Sequence, residues 1–216
     1  MEAEIVEGFS PAYWEDRYAG HPGHEGAHRG EPNATLVAVA EQLIPGSALD
    51  AGCGHGADAL WLAAQGWRVT AVDVAGTVIE RSRRAAVSAD ADPTGRIQWV
   101  PADLMSWQPA ANGYDLVSAH YVHVPAGQQE AFLRRLALAV APGGTLLVVG
   151  HHPSDRGPAV ARGDAAEMFL TEGDLTPVLP PERWEVTSRE VRARHENRHG
   201  EEAVVHDTVL RARRHR

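Results

Sequence analysis

Three glycines, Gly52, Gly54 and Gly56, occupy alternate positions in Asp50-Ala51-Gly52-Cys53-Gly54-His55-Gly56. Glycine lets a chain turn sharply and brings backbone N–H groups against a ligand with no Cβ in the way. Taken alone the run also fits a loose dinucleotide fingerprint, Gly52-x-Gly54-x-x-Ala57. The acids around it separate the two readings. Asp50 precedes the first glycine by two residues, awkward beside a pyrophosphate but suited to a cationic group such as an amine. Asp73, followed by Val74, ends the next apolar stretch, where a carboxylate can accept both hydroxyls of a ribose. Asp103 follows a third stretch, placed to accept from an adenine amino group while Leu104 covers the ring. Singly, each acid is equally a helix cap or turn residue. In register with the glycines, the three describe a groove for a nucleoside that carries positive charge.

Histidine is the second source of chemistry, with 12 in the chain. His120 and His123 close the run Ser118-Ala119-His120-Tyr121-Val122-His123, and His151 and His152 follow Gly150. If the strands before them are neighbours, these side chains converge. Imidazole titrates near neutrality and serves as base, polariser or metal ligand. His120 is the first candidate for a catalytic base, His123 the second and His152 the third. The plainer alternative is that some face water and others satisfy backbone groups. His21, His24 and His28 have helical spacing, but Pro22 and Gly23 lie between them and no Cys pair or acid–His motif accompanies them. No metal centre is therefore expected. Cys53 reads as a small residue that fits the turn rather than as a nucleophile. Tyr13, Trp14, Arg17 and Tyr18 form a candidate lid that excludes water, with simple core packing as the alternative.

The elements that must position these residues follow from periodicity. Pro11 to Tyr18 can form a short helix with Ser10 as N-cap. Ala19 to Pro32, rich in Gly, His and Pro, reads as a long loop. Leu36, Val37, Ala40, Leu43 and Ile44 recur at helical spacing until Pro45-Gly46. An alternation follows: strand 47–50, helix 57–65, strand 67–73, helix 77–88, strands 96–101 and 114–120, helix 128–140, strand 145–149. Short apolar strands separated by helices imply a parallel sheet covered on both faces. Residues 184–192 and 203–213 alternate with no helix between them, joined by the polar stretch 194–201. They read as a late antiparallel hairpin. The expected fold is α/β: a Rossmann-like, doubly wound, mostly parallel sheet with its crevice at the carboxyl ends of the first strands.

Leu49-Asp50-Ala51-Gly52-Cys53-Gly54-His55-Gly56, with Val72-Asp73-Val74, Ala102-Asp103-Leu104 and Ala141-Pro142-Gly143-Gly144-Thr145, resembles the motif series of the class I S-adenosylmethionine (SAM)-dependent methyltransferases. The resemblance runs from about Leu36 to Gly150. It implies a seven-stranded sheet with a terminal antiparallel hairpin and SAM across the glycine turn. The cofactor-binding set it implies is Asp50, Gly52, Cys53, Gly54, Asp73, Val74, Asp103, Leu104 and His120. Tyr13-Trp14-Glu15-Asp16-Arg17-Tyr18, Glu31-Pro32-Asn33 and Val148-Val149-Gly150-His151-His152 look like the small-molecule enzymes of the tellurite-resistance and thiopurine type. The His-rich loop departs from that pattern. A small-molecule acceptor, a thiol, heterocycle or metalloid oxyanion, is expected. The competing readings are a nicotinamide-dependent oxidoreductase, a non-catalytic binder of S-adenosylhomocysteine (SAH) and a nucleic-acid methyltransferase.

Bulk properties narrow these classes. A chain of 216 residues, 44% hydrophobic and 23% charged, is ordinary for a globular protein. One domain is expected over 1–216: N-terminal helices and lid loop in 1–45, cofactor core in 46–150, hairpin region in 151–216. A net charge of −9 argues against nucleic acid or anionic membrane as partner, and the basic run 189–198 reads as a solvated face. The single cysteine excludes an intramolecular disulfide. No apolar stretch approaches the roughly 18 residues that cross a bilayer. The acidic start Met1-Glu2-Ala3-Glu4 is unlike a secretory signal, so a cytoplasmic monomer or homodimer is expected.

Overall fold

In Ser47-Ala48-Leu49-Asp50-Ala51, side chains alternate between two apolar environments, as a strand buried on both faces requires. Ala48 packs with the residues of one cluster, and Leu49 and Ala51 with those of the other. This is β1 (Ser47–Ala51), an interior strand of a seven-stranded sheet in a computed structural model that describes residues 10–20, 30–88, 95–125, 127–152, 154, 178–198 and 201–216. The other strands are β2 (Arg68–Asp73), β3 (Ile97–Pro101), β4 (Tyr114–His120), β5 (Val140–His151), β6 (Trp184–Arg198) and β7 (Glu201–Arg214). Their order is β3-β2-β1-β4-β5-β7-β6. The first five pair in parallel, and β7 inserts antiparallel between β5 and β6. The order reverses between β1 and β4, which opens a crevice at their carboxyl ends.

The helices are α1 (Pro11–Gly20), α2 (Ala34–Ala40), α3 (Ala57–Ala64), α4 (Gly76–Ser88) and α5 (Gln129–Ala139). Phe132, Leu133 and Leu136 of α5 fill one face with Leu49, Val117, Leu146 and Leu210. Leu36 and Val39 of α2, Leu62 of α3 and Ile79 of α4 fill the other with Val69, Leu116, Leu147 and Val209. Ser10 caps α1 as expected, its Oγ accepting from Tyr13 N at 3.2 Å. Asn33 caps α2, accepting from Thr35 N and Leu36 N at 2.8 and 3.3 Å.

The sequence reading is corrected in four places. Ile44 shares the helical spacing of Leu36 and Ala40 but is 90% exposed, because α2 ends at Ala40 in a turn. Val140 leaves the helix and begins β5, which runs through the Ala141–Gly144 turn signals with Gly143 at positive φ. Residues 194–198 are strand rather than connection, since cross-strand pairing continues from Arg194↔Val205 to Arg198↔Glu201. Helix α1 extends two residues past Tyr18. The His21, His24 and His28 set and most of the loop 19–32 lie outside the described residues.

Candidate functional site

Asp50, Asp73, His120, His151 and Asp207 alternate with residues of the α5-side cluster, which turns all five toward the face carrying α3. They stand at one end of neighbouring strands: Asp50 pairs with Ser118, His120 with Val149, and His151 with Asp207. The expected neighbourhood of the two His-bearing strand ends is therefore present.

The glycine turn is held by backbone bonds. Gly52 N and Cys53 N donate to the Val72 carbonyl at 2.8 and 3.0 Å. Asp73 accepts from Gly54 N at 2.9 Å on one oxygen and from Ala75 N at 3.0 Å on the other. Gly52 has φ +79°, and a Cβ there would lie 2.6 Å from Val122 Cγ2. At Gly56, φ +78°, a Cβ would collide with the Trp99 ring. These positions need glycine both for backbone conformation and for close approach.

Asp50 is 2% exposed, and its Oδ2 has no hydrogen-bond partner. Burial pushes its carboxyl well above the usual carboxylate range, and the charges of Asp58 and Asp73 push it further. Asp73 is also raised by burial, against the opposing N–H groups of Ala75 and Gly54. The same burial, with Asp50 and Asp73 nearby, pushes the Cys53 thiol up and keeps it protonated, consistent with a small packing residue. Val74 follows Asp73 in the bend that leads into α4. Asp103 uses Oδ1 to accept from Met105 N at 2.8 Å, forming a local turn beyond β3. Leu104 is buried in the cluster against α5.

Helix α1 lies over this turn. Tyr18 meets His55 edge-on at 5.5 Å, and its hydroxyl would be 3.3 Å from a Cβ on Gly54. Trp14 stacks on His123 at 5.1 Å and 13°. Tyr13 packs edge-on against Trp14, and Arg17 lies over the Trp14 ring while donating to the Tyr13 hydroxyl at 3.3 Å. Burial, then the Asp73 charge, raises the Tyr18 phenol well above its ordinary value. Glu15 anchors the helix: it accepts from Gly76 N at 2.6 Å and Thr77 N at 3.2 Å, at the start of α4. A carboxylate there also meets the positive end of the helix dipole.

Among the histidines, His120 Nδ1 lies 2.7 Å from Asp58 Oδ2, with side chains 7% and 15% exposed. Asp58 Oδ1 accepts from Asn33 N at 2.6 Å. His123 is lowered to about 4, first by burial and then by His151 and Arg17. His152 bonds locally, its Nδ1 lying 2.8 Å from the Ser154 hydroxyl. Tyr121, at φ +53°, donates its hydroxyl to Asp207 Oδ2 at 2.8 Å and packs against His151 at 4.7 Å. Arg194 donates to the same Asp207 oxygen at 2.8 Å and lies over the Tyr121 ring.

Sequence reasoning missed Glu15, Asp58, Tyr121, Arg194 and Asp207. Asp207 carried a signal: it is an acid on the apolar side of Val205-x-Asp207-x-Val209, and a buried charge needs a partner. Asp58 reads as an ordinary first-turn acid, and only the fold brings it to His120.

Residues 48–144 match a family model described as a methyltransferase domain. An uncharacterised methyltransferase of Mycobacterium tuberculosis is 36% identical over 101 residues, 47% of this chain and 48% of that protein. The 2-heptyl-1-hydroxyquinolin-4(1H)-one methyltransferase of Mycobacteroides abscessus is 28% identical over 127 residues, 56% of this chain and 53% of that protein. The chain thus spans about half the length of the curated relatives it matches. The crystal structure of TehB from Haemophilus influenzae superposes with TM-score 0.67 at 17% identity, covering 95% of this chain and 67% of that one. The methyltransferase likeness thus centres on residues 48–144, which contain the glycine turn, Asp73 and Asp103. The seven-stranded sheet with antiparallel last strands is a Rossmann-like fold shared with solved methyltransferase structures. Among the described residues, no helix is long and apolar enough to cross a membrane.

Proposed function

We propose that this protein binds SAM over the glycine turn and directs its methyl group to a small-molecule acceptor. The observation that carries this reading is Asp50: a buried carboxyl with an unpartnered oxygen, raised by its acidic neighbours. Such a group is relieved by a cation, and the ammonium of SAM is one. Asp50 would hold that ammonium, the backbone at Gly52 to Gly54 would lie along the ligand, and Asp73 would accept from the ribose. Asp103 and Leu104 would flank the adenine. When bound, SAM supplies an already activated methyl group on a sulfonium.

What remains for the chain is to orient the acceptor and exclude water. Near-attack positioning can contribute about 7–11 kcal/mol. Trp14 and Tyr18 of α1 cover the turn and His123 together, which suits exclusion of water. A small acceptor is supported by the net charge of −9 and by the relative that acts on a hydroxyquinolinone. Calorimetry with SAH and NADH side by side tests the cofactor. SAH is expected to bind and NADH not, and Asp73→Ala is expected to weaken SAH at least about tenfold, or about 1.4 kcal/mol. Equal affinity for NADH, or an Asp73→Ala variant with unaltered SAH binding, would sink this reading.

A further inference from the structure

We propose that Asp58 is a positioning residue that fixes His120 as a proton acceptor, so that the site takes a methyl acceptor whose oxygen or nitrogen still carries its proton at neutral pH. The proposal rests on the methyl-transfer reading above and adds to it the class of acceptor.

The hydrogen-bond chain sets the direction. Asn33 N donates to Asp58 Oδ1 at 2.6 Å, and Asp58 Oδ2 lies 2.7 Å from His120 Nδ1. A carboxylate only accepts, so Nδ1 is the donor, and in the neutral ring the free lone pair is then on Nε2. That atom is buried and has no hydrogen-bond partner. Buried side-chain polar atoms are usually bonded, and each one left unsatisfied is costly, so this acceptor awaits a donor. An O–H or N–H of the substrate is such a donor.

Charge points the same way. Asp58 and Asp73 both act electrostatically on Asp50, and His120 lies on the Asp50 side of β4, two residues beyond the Ser118 that pairs with Asp50. A preformed thiolate or oxyanion would meet these acids and would bring Nε2 no proton. A neutral acceptor avoids both costs. Its proton passes to Nε2 as its lone pair bonds the methyl carbon, and the carbon–sulfur electron pair remains on sulfur. The imidazolium so formed faces Asp58, and its proton returns to water after the product leaves. The arrangement is a base oriented by a third group, as in other two-residue relays.

The tautomer of His120 is read directly by nitrogen-15 NMR of histidine-labelled protein at mildly alkaline pH, with no turnover required. The expected state is Nδ1–H with bare Nε2, and Asp58→Asn is expected to move the proton to Nε2. A wild-type protein with the proton on Nε2, or a variant with an unchanged tautomer, overturns the proposal. Methyl transfer to para-cresol, which keeps its proton, and to para-nitrophenol, which is largely ionised, gives the second readout. Asp58→Asn is expected to slow the cresol reaction about 100-fold, the scale of general base catalysis, and to leave the nitrophenol reaction nearly unaltered. Equal losses with both phenols would mean a merely structural role and overturn it. SAH affinity, measured on the same samples, reports the cofactor reading separately.

Discussion

Along the glycine turn, the contacts run from backbone N–H groups to fixed acceptors: Gly54 N and Ala75 N to Asp73, Gly52 N and Cys53 N to the Val72 carbonyl. Around the ends of β4 and β7 they run between side chains: His120 to Asp58 and Tyr121 to Asp207, 62 and 86 residues apart, and Arg194 to Asp207 across the β6–β7 hairpin. The first region depends on backbone shape, so only a narrow set of residues can build it. The second depends on pairs, and a pair can change both members. On the proposed reading, a common methyl donor and a variable acceptor would call for that division, one half of the crevice fixed and the other adjustable.

The sharpest way to break the comparison is Gly52→Ala. A left-handed φ costs a residue with a Cβ about 1–3 kcal/mol, and the contact with Val122 adds to it. Denaturant unfolding should show a loss at or above that range, together with loss of SAH binding. Adding Val122→Ala should restore part of the stability, since the φ of +79° persists. Full recovery would show that side-chain crowding rather than backbone shape governs the turn.

Tyr121→Phe probes the other region. It removes a hydroxyl that donates to the buried Asp207 and should cost about 1.5–3 kcal/mol in unfolding experiments. SAH affinity should be unaltered; a parallel loss of affinity would show that the two regions are not separable.

At neutral pH the smallest effect is that of His123, which shows only on acidification. Its folded value of about 4 lies below the ordinary 6.5, so the unfolded chain takes up a proton first as pH falls. Its contribution is complete above about 6.5 and is lost progressively toward about 4. His123→Gln should flatten the acid limb of melting temperature against pH. An identical limb would mean that the ring under Trp14 is not held neutral by burial.

The same division explains what could be read from the sequence. Strands β1 to β5, their parallel pairing and the antiparallel ending were legible because apolar alternation and glycine spacing are local signals. Asp50, Asp73 and the turn were legible for the same reason. Glu15, Asp58 and Asp207 were not, because their partners lie 61, 62 and 86 residues away. No window of local periodicity contains such distances. The connection 194–201 was misjudged because its polar residues resemble a turn, whereas strand pairing continues through most of it. Val204, 53% exposed, shows how little burial that end of the hairpin offers to read.

The place of β7 between β5 and β6 has a consequence for how the chain comes into being. A chain emerging from its N-terminus presents β5, whose Leu146 to Val149 are almost wholly buried in the finished sheet, long before Val205 to Ala212 arrive to pair with it. Throughout that interval an apolar strand stands with one open edge, which is a template for pairing with other chains. The vulnerable period in the life of this protein therefore runs from the synthesis of β5 until β7 has emerged. A messenger cut short before Ala203 would yield an aggregating species rather than a slightly less stable domain.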